Sequence, residues 1–214
     1  MVFSHRLWYI LPNRMDQFHQ AFQRAKALTE KHGGTLLGAW QTSIGRSNEV
    51  TTIFAYNDPG HRAQTLEARA NDPEWPDVIN SIWAVLERWE TRAVVAAPGY
   101  PPFEANTASG TSPRVFLHRI WHIAPGKMTE FHQVLREAMT LYTGMEPVGV
   151  WQTSIGRSNE VITIAGCGSL AEMEKTLAQR AQDAAWPPIY KKIWGVVERW
   201  DSWIARGTPY SAIR

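Results

Sequence analysis

Apolar residues recur along the chain with two different periods, and the periods follow the same order in both halves. A period of two with both faces largely apolar is typical of a strand buried on both sides, and spacings of three and four are typical of a helix with one buried face. In the first half the pattern predicts strands over residues 3–11, 36–44, 50–56 and about 84–96, and helices around Met15 to Leu28 and Ala63 to Ala70. This order, β-α-β-β-α-β, is that of a ferredoxin-like unit.

Residues that favour turns and helix starts separate these elements. Residues 45–48, Gly-Arg-Ser-Asn, have the chemistry of a hairpin turn. Asp58 followed by proline predicts a helix start, and Ser169 opens a capping box in the second half. We interpret residues 75–76, Trp-Pro, as a short turn before the fourth strand.

One stretch of the first half is repeated in the second. Residues 40–50, WQTSIGRSNEV, recur without a change at residues 151–161, and looser matches extend the register over both halves. A repeat of this length is too long for a solenoid unit and indicates two copies of one domain. We predict a first domain over residues 1–98, a linker rich in proline, glycine and serine over 99–113, and a second domain over 114–214.

Each predicted sheet has helices on one face and needs an apolar partner for its other face. Two copies in one chain can cover each other, sheet to sheet, about a pseudo-two-fold axis. We therefore expect an α+β fold in which two ferredoxin-like (βαββαβ) repeats form an intrachain dimeric α/β barrel.

The overall composition excludes several classes of partner. The chain is 44% hydrophobic and 20% charged, which is ordinary for a soluble globular protein, and it has a formal net charge of +2 without a long basic cluster. We expect no nucleic-acid or membrane partner and a cytoplasmic location, since no leader-like segment or apolar run of roughly 20 residues is visible. Cys167 is the one cysteine, so neither an internal disulfide nor a thiolate zinc site is expected.

Tryptophan is unusually frequent, with eleven residues. Only Trp203 lacks a counterpart in the other half. Because a buried indole stabilises a core by several kcal/mol (roughly 3 to 5 on truncation), we interpret the paired tryptophans mainly as shared core. The pairs are 8/121, 40/151, 75/186, 83/194 and 89/200.

A set of short motifs in the first half follows the pattern of one protein family. The motifs are His5-Arg6-Leu7-Trp8, Pro12-Asn13, Lys31-His32-Gly33-Gly34, Leu37-Gly38-Ala39-Trp40, Ile44-Gly45, Asn48-Glu49-Val50, Ala55-Tyr56 and Asp72-Pro73-Glu74-Trp75. In combination they resemble the NIPSNAP family over nearly all of the first copy and, more weakly, over the second.

The resemblance implies the dimeric α/β barrel fold and only a broad function. The wider superfamily includes cofactor-free quinol monooxygenases, isomerases and cyclases acting on aromatic polyketides, and haem enzymes, while eukaryotic NIPSNAP members look like protein-interaction factors. Where members often carry a histidine before the aromatic residue of the third strand, Thr52 and Thr163 stand here. This departure removes one candidate for proton transfer.

Positions that differ between the copies predict where a binding site lies. Phe54 and Tyr56 of the first copy correspond to Ala165 and Cys167, and these smaller residues should open an apolar pocket between sheet and helices of the second copy. We expect Arg119 to orient an oxygenated ring or a carboxylate there through its forked donors. The predicted binding residues are Trp121, Trp151, Thr163, Cys167 and Tyr190, with Arg6 and Trp8 as first-copy counterparts. In the alternative, Arg6 and Arg119 are ion-paired core residues and the lost bulk is refilled.

The catalytic candidates are Arg119 and His122. Strand alternation places them on opposite faces, so His122 is a competing rather than a cooperating general base. No metal is expected, because His118 and His122 are separated by four strand residues, roughly 13 Å.

Three functions remain open. We favour binding and transformation of a small hydrophobic or aromatic molecule, by an oxygenase- or isomerase-type reaction with no tightly bound organic cofactor. The first alternative is a non-catalytic ligand-binding or protein-interaction module, and the second is a haem-binding barrel enzyme. A homo-oligomer is expected in each case.

Overall fold

A computed structural model describes residues 1–100, 115–141 and 143–213. Most of the predicted linker, residues 101–113, lies outside these ranges. The first half forms β1 (Val2–Ile10), α1 (Met15–Lys31), β2 (Thr35–Ile44), β3 (Glu49–Tyr56), α2 (Pro59–Ala70), α3 (Trp75–Trp83) and β4 (Leu86–Ala96). The second half repeats the order with β5 (Val115–Ile123), α4 (Met128–Met139), β6 (Glu146–Ile155), β7 (Glu160–Cys167), α5 (Leu170–Gln182), α6 (Trp186–Val196) and β8 (Val197–Gly207).

The eight strands close into one barrel in the order β1-β3-β2-β8-β5-β7-β6-β4, with β4 pairing back to β1. The halves join at both sheet edges, through the antiparallel ladders β2–β8 and β4–β6. The predicted intrachain α/β barrel is confirmed. Closure also hydrogen-bonds the edges of the two sheets, so neither edge is left open for another chain.

The barrel interior is a core shared by both halves. Trp40 and Trp151 are fully buried there, and Phe3 packs edge-on against Trp151 with ring centroids 6.1 Å apart. His118 stacks on Trp203, and burial lowers the pKa of this histidine to about 3, so it is a neutral packing residue. The remaining apolar interior includes Leu7, Ile53, Val94, Phe116, Ile120, Ile162 and Ile164.

Two glycines make room for the buried indoles. A Cβ on Gly38 would overlap ring atoms of Trp40, and a Cβ on Gly149 would overlap Trp151 in the same way. Each glycine lies at a register shift in its ladder, β2–β3 or β6–β7. The Gly-x-Trp motif of each half is therefore a packing requirement of the barrel.

The predicted turn and cap signals are confirmed. Gly45 and Asn48 both adopt positive φ in the β2–β3 hairpin. The side chain of Asp58 accepts a hydrogen bond from the His61 backbone at 2.8 Å and begins α2, and Ser169 begins α5 in the same manner.

The interpretation of residues 75–76 as a short turn is wrong. They begin α3, and α6 is the counterpart in the second half. Pro76 lies in the first turn of α3, where a missing N–H breaks no hydrogen bond, and Val78 and Ile82 are buried one helical turn apart. Nine residues are too few for a clear helical period, which is why the sequence pattern did not separate this helix from a turn. The helices of the described segments include none that is both long and apolar enough to cross a membrane.

Candidate functional site

A cavity of about 100 Å³ lies between the sheet and α4 of the second half. Its wall is apolar apart from Arg119 and Thr163, and among the described residues that line it Arg119 alone is charged. The lining comes from β5 (Leu117, Arg119, Trp121), α4 (Leu135, Met139), Met145 before β6, β6 (Pro147, Gly149, Val150) and β7 (Thr163, Ile164, Ala165). We call this cavity the outer pocket.

Arg119 and Trp121 form the polar end of the outer pocket. They are two residues apart on β5, so both side chains leave the sheet on its helix-covered face. The guanidinium carbon of Arg119 lies 5.4 Å from the Trp121 ring centroid, within cation–π range. Trp121 Nε1 donates a hydrogen bond of 3.0 Å to Thr163 Oγ1, which fixes the indole against β7.

The outer pocket exists because side chains of the second half are smaller. In the first half the Phe22 ring packs on Phe54 and Tyr210, with centroids 6.3 and 5.5 Å apart, and the apolar layer is one continuous cluster. In the second half the layer forms two clusters, and residues of both line the cavity. Leu135, Pro147 and Ala165 stand at the positions of Phe22, Leu36 and Phe54.

Trp151 lies inside the barrel and not in the outer pocket. Strict alternation along β6 from the pocket residue Pro147 would direct Trp151 outward. The register shift between Pro147 and Gly149 reverses the alternation, so Val150 faces the pocket and Trp151 the interior.

Tyr190 is also away from the outer pocket. It lies on α6, whose buried side carries Ile189 and Ile193, and its ring packs beside Trp186 and Trp194 on the protein surface. Because the sequence pattern missed this helix, it could not assign the outward face to Tyr190.

Cys167 is buried at the end of β7, against Met145 and Met173. Its Sγ is 3.2 Å from the carbonyl oxygen of Ser169, and burial raises the thiol pKa. A buried thiol of this kind is a packing residue rather than a nucleophile.

The first-half residues Arg6 and Trp8 repeat the arginine–indole pair. The Arg6 guanidinium carbon lies 5.4 Å from the Trp8 ring centroid, and Trp8 Nε1 donates to Thr52 Oγ1 at 2.9 Å. Here Phe22 and Phe54 occupy the space next to the pair. The polar unit is thus common to both halves, and only the surrounding volume differs.

His122 points into the barrel, on the opposite face of β5 from Arg119. Its Nε2 lies 3.0 Å from Asp201 Oδ2, and its Nδ1 lies 3.2 Å from Glu160 Oε1. His122 lines a second cavity of about 480 Å³ at one mouth of the barrel. It therefore does not meet a ligand in the outer pocket.

Sequence reasoning missed residues of both cavities. Leu135 and Pro147 line the outer pocket, and a position-by-position comparison of the halves over α1 and β2 would have found them. Arg46, Arg157 and Glu49 line the barrel-mouth cavity, and they belong to the repeated stretch that was interpreted only as structure.

Comparison with solved structures identifies the class of fold. A putative monooxygenase from Lactobacillus acidophilus is 11% identical, with a TM-score of 0.63, over 96% of this chain and 93% of that one. An anthrone oxidase-like protein is 10% identical, with a TM-score of 0.65, over 97% of this chain and 91% of that one. At these identities the similarity shows the fold alone: the chain is a dimeric α/β barrel protein.

The family follows from the sequence. The NIPSNAP family model matches residues 3–99 and again residues 116–212, so the chain belongs to the NIPSNAP family as a tandem repeat. Human Protein NipSnap homolog 3A is 25% identical over 165 residues, which is 74% of this chain and 64% of the human protein. The chain thus spans less than two thirds of that relative's length.

Proposed function

We propose that the outer pocket binds a small aromatic molecule that carries an acidic oxygen, and that the protein transforms it without a tightly bound organic cofactor. One observation carries the proposal: an apolar cavity with one guanidinium on its described wall lies where the first half has Phe22 and Phe54. If Arg119 were only a packed core residue, no cavity would be needed beside it. A ligand site, in contrast, combines apolar walls with a few placed polar groups.

The volume of the outer pocket limits the ligand. A cavity of about 150 Å³ is known to hold one benzene molecule in another protein, so about 100 Å³ fits a single ring or part of a larger one. Pro147 and Met139 line the pocket and are themselves partly accessible to solvent. A larger ring system would extend from the pocket at these residues.

Arg119 supplies the chemistry available in the outer pocket. A guanidinium beside a phenol or enol lowers the pKa of the bound hydroxyl and stabilises its anion. Both favoured reaction types begin with such an anion. In an oxygenase-type reaction the anion gives its electrons to dioxygen, and in an isomerase-type reaction a proton returns at another carbon.

Non-catalytic binding is the second candidate, and a specific observation favours it. The described residues that line the outer pocket include no carboxylate and no histidine that could act as a general base. A ligand that must lose a proton would have to arrive as the anion or lose the proton to water.

Arg119→Met and Arg6→Met form a matched pair for the test. Trp121 lies in the pocket wall, so tryptophan fluorescence should report titration with simple phenols and hydroquinones. We expect Arg119→Met to weaken binding at least tenfold and Arg6→Met to leave binding unchanged. Equal affinities for both variants would exclude the outer pocket.

Turnover is measured on the ligands that bind. Either consumption of dioxygen or a rearranged product found by mass spectrometry would support the enzyme hypothesis, provided that the activity is lost in Arg119→Met. Binding without any product supports the non-catalytic alternative. Native mass spectrometry of the purified protein shows whether a ligand or haem is retained.

We further propose that the chain self-associates through exposed indoles. Trp83, Trp89 and Trp194 are between 45% and 52% exposed, which is unusual for this side chain. Sedimentation velocity of the protein and of Trp83→Gln and Trp194→Gln tests this; a monomer in all three cases excludes it.

A further inference from the structure

The barrel-mouth cavity is a second site, separated from the outer pocket by the sheet. Its volume is about 480 Å³, and both halves of the chain contribute to its wall. A neighbouring cavity of about 470 Å³ shares His122, Arg157 and Arg199 with it, so the open space continues along the rim. Unlike the outer pocket, the barrel-mouth cavity has charged side chains at half of its lining positions.

Arginines dominate the rim of this cavity. Arg46 and Arg157 occupy equivalent positions in the two hairpins, and both are exposed. Neither has a carboxylate within ion-pair distance among the described residues. The third rim arginine is Arg199, whose Nη2 lies 3.9 Å from Asp201 Oδ2, at the long limit of an ion pair.

Most acidic groups on the wall and just behind it have closer partners than the rim arginines. Asp201 Oδ2, on the wall, lies 3.0 Å from His122 Nε2, and Glu160 lies behind the wall. Arg92 Nε donates a hydrogen bond of 2.6 Å to Glu160, and its Nη2 donates one of 3.1 Å to Glu90. Arg88 also donates to Glu90, at 2.7 Å. The rim arginines Arg46, Arg157 and Arg199 therefore give the cavity mouth a net positive charge, which faces open space.

Glu49 is the exception among the acids. By strand register Trp203 stands next to His118 where Arg92 stands next to His5, so the position from which Arg92 pairs with Glu160 holds no arginine in the second half. Arg46 and Arg88 lower the Glu49 pKa, but burial outweighs them. Glu49 is 5% exposed, and burial raises its pKa to about 7. Near neutral pH it is thus partly protonated and able to accept a proton.

We propose that the barrel-mouth cavity binds a small organic anion with a carboxylate or phosphate group, that Arg46, Arg157 and Arg199 hold the anion, and that Glu49 takes up a proton on binding. Guanidinium groups match the planar, paired oxygens of carboxylate and phosphate. Each half supplies part of the cluster, so the site exists only in the closed barrel. The inference does not rest on the function proposed for the outer pocket.

Proton uptake follows from the charges that face Glu49. An anion bound at the rim raises the Glu49 pKa further, because two negative charges repel. Binding should then take up between zero and one proton above about pH 7, and affinity should fall as pH rises. The other charged or titratable groups on the wall are Tyr9 on β1, Arg46 and Arg157 on the hairpins, Arg88, Glu90 and Arg92 on β4, His122 on β5, and Arg199 and Asp201 on β8.

Calorimetric titration at low salt with inorganic phosphate and, separately, succinate tests binding and distinguishes the two anion types. We expect the double variant Arg46→Gln/Arg157→Gln to bind the preferred anion at least tenfold more weakly. The control Arg24→Gln/Arg206→Gln removes the same charge at exposed positions outside the cavity lining and should bind like the parent. No binding of either anion by the parent, or equal loss in both double variants, overturns the proposal.

The proton is counted by repeating the titration at pH 7.5 in two buffers of different ionisation enthalpy. The parent should take up a fraction of a proton, and Glu49→Gln should take up none while still binding the anion. His122→Asn separates the neighbouring histidine. Proton uptake that persists in Glu49→Gln and vanishes in His122→Asn overturns the role of Glu49. Circular dichroism and thermal unfolding show that each variant is folded.

Discussion

The two halves keep the same polar unit on the outer face of the sheet and differ in what surrounds it. Trp8 with Thr52 and Trp121 with Thr163 make the same hydrogen bond, at 2.9 and 3.0 Å. In the first half aromatic rings fill the adjoining space, and in the second a cavity of about 100 Å³ remains. A duplicated domain can thus keep one copy as a packed scaffold while the other acquires a cavity.

The barrel mouth shows a second difference, between two glutamates of the repeated stretch. Glu160 pairs with Arg92 of the other half, whereas Glu49 meets no equivalent arginine. The same glutamate in the same local sequence therefore has an arginine partner for its charged form in one half, whereas in the other half burial disfavours the charged form. The difference is decided by what the opposite half contributes.

Phe54→Ala should have the largest effect on stability, because it removes from the first half the ring that the second half lacks. Removing this buried ring should lower the free energy of unfolding by about 3 to 5 kcal/mol, because it leaves a cavity next to Phe22. Urea denaturation measures the loss. The variant should also gain a pocket beside Arg6.

Ala165→Phe is the reciprocal change. It should fill the outer pocket and abolish binding of a small aromatic ligand while costing less than Phe54→Ala, since the added ring enters existing space. Retained ligand binding in Ala165→Phe would contradict the assignment of the pocket.

Glu160→Gln should lower the free energy of unfolding by about 3 kcal/mol at pH 7, because it removes the buried carboxylate that pairs with Arg92 Nε and leaves the guanidinium only the more exposed Glu90. Thermal and urea unfolding measure this effect. A change within experimental error would show that water or Glu90 replaces the lost partner.

Glu49→Gln should change the free energy of unfolding in the opposite direction and make the protein more stable. The Glu49 pKa is about 7 in the folded protein against an ordinary value of 4.5, so folding loses stability as pH rises from 4.5 through 7. The variant removes this loss and should be more stable than the parent by up to about 3 kcal/mol above pH 7. Below pH 4.5 the difference should vanish. Equal stability at pH 8 would be inconsistent with a carboxylate whose burial outweighs the attraction of Arg46 and Arg88.

Thr163→Val and Thr52→Val give the smallest effects. Each leaves a buried indole N–H without its acceptor and should cost about 1 to 2 kcal/mol in the free energy of unfolding. Only Thr163→Val should also weaken ligand binding, because Trp121 lines the pocket and Trp8 packs against Phe22. Parallel loss of binding in both variants would indicate a general effect of destabilisation.

Much of the fold could be predicted from particular residues. Asp58, Ser169 and the Gly45–Asn48 turn gave local signals strong enough to place helix starts and hairpins, and alternation placed Arg119 and His122 on opposite faces. The helices α3 and α6 were missed, because short helices after Trp-Pro carry too few turns for a period to be visible.

The outer pocket was predicted in part. The pair Phe54/Ala165 indicated where the halves diverge, and Arg119, Trp121 and Thr163 do line one cavity. The sequence analysis put Trp151 in the pocket wall, but the register shift at Gly149 turns its side chain into the barrel, since a single extra residue reverses which side chains face the core.

The sequence by itself determined the duplication, the order of strands and helices in each half, and the apolar face that each sheet must cover. These are local or periodic properties, which neighbouring residues fix through propensity and side-chain alternation. Only the tertiary structure decided that the edges of both sheets join into a closed barrel, that Arg92 reaches Glu160 across β6, and that Trp203 leaves Glu49 without such a partner. These relations depend on residues far apart in the chain, which packing brings together and no local pattern records.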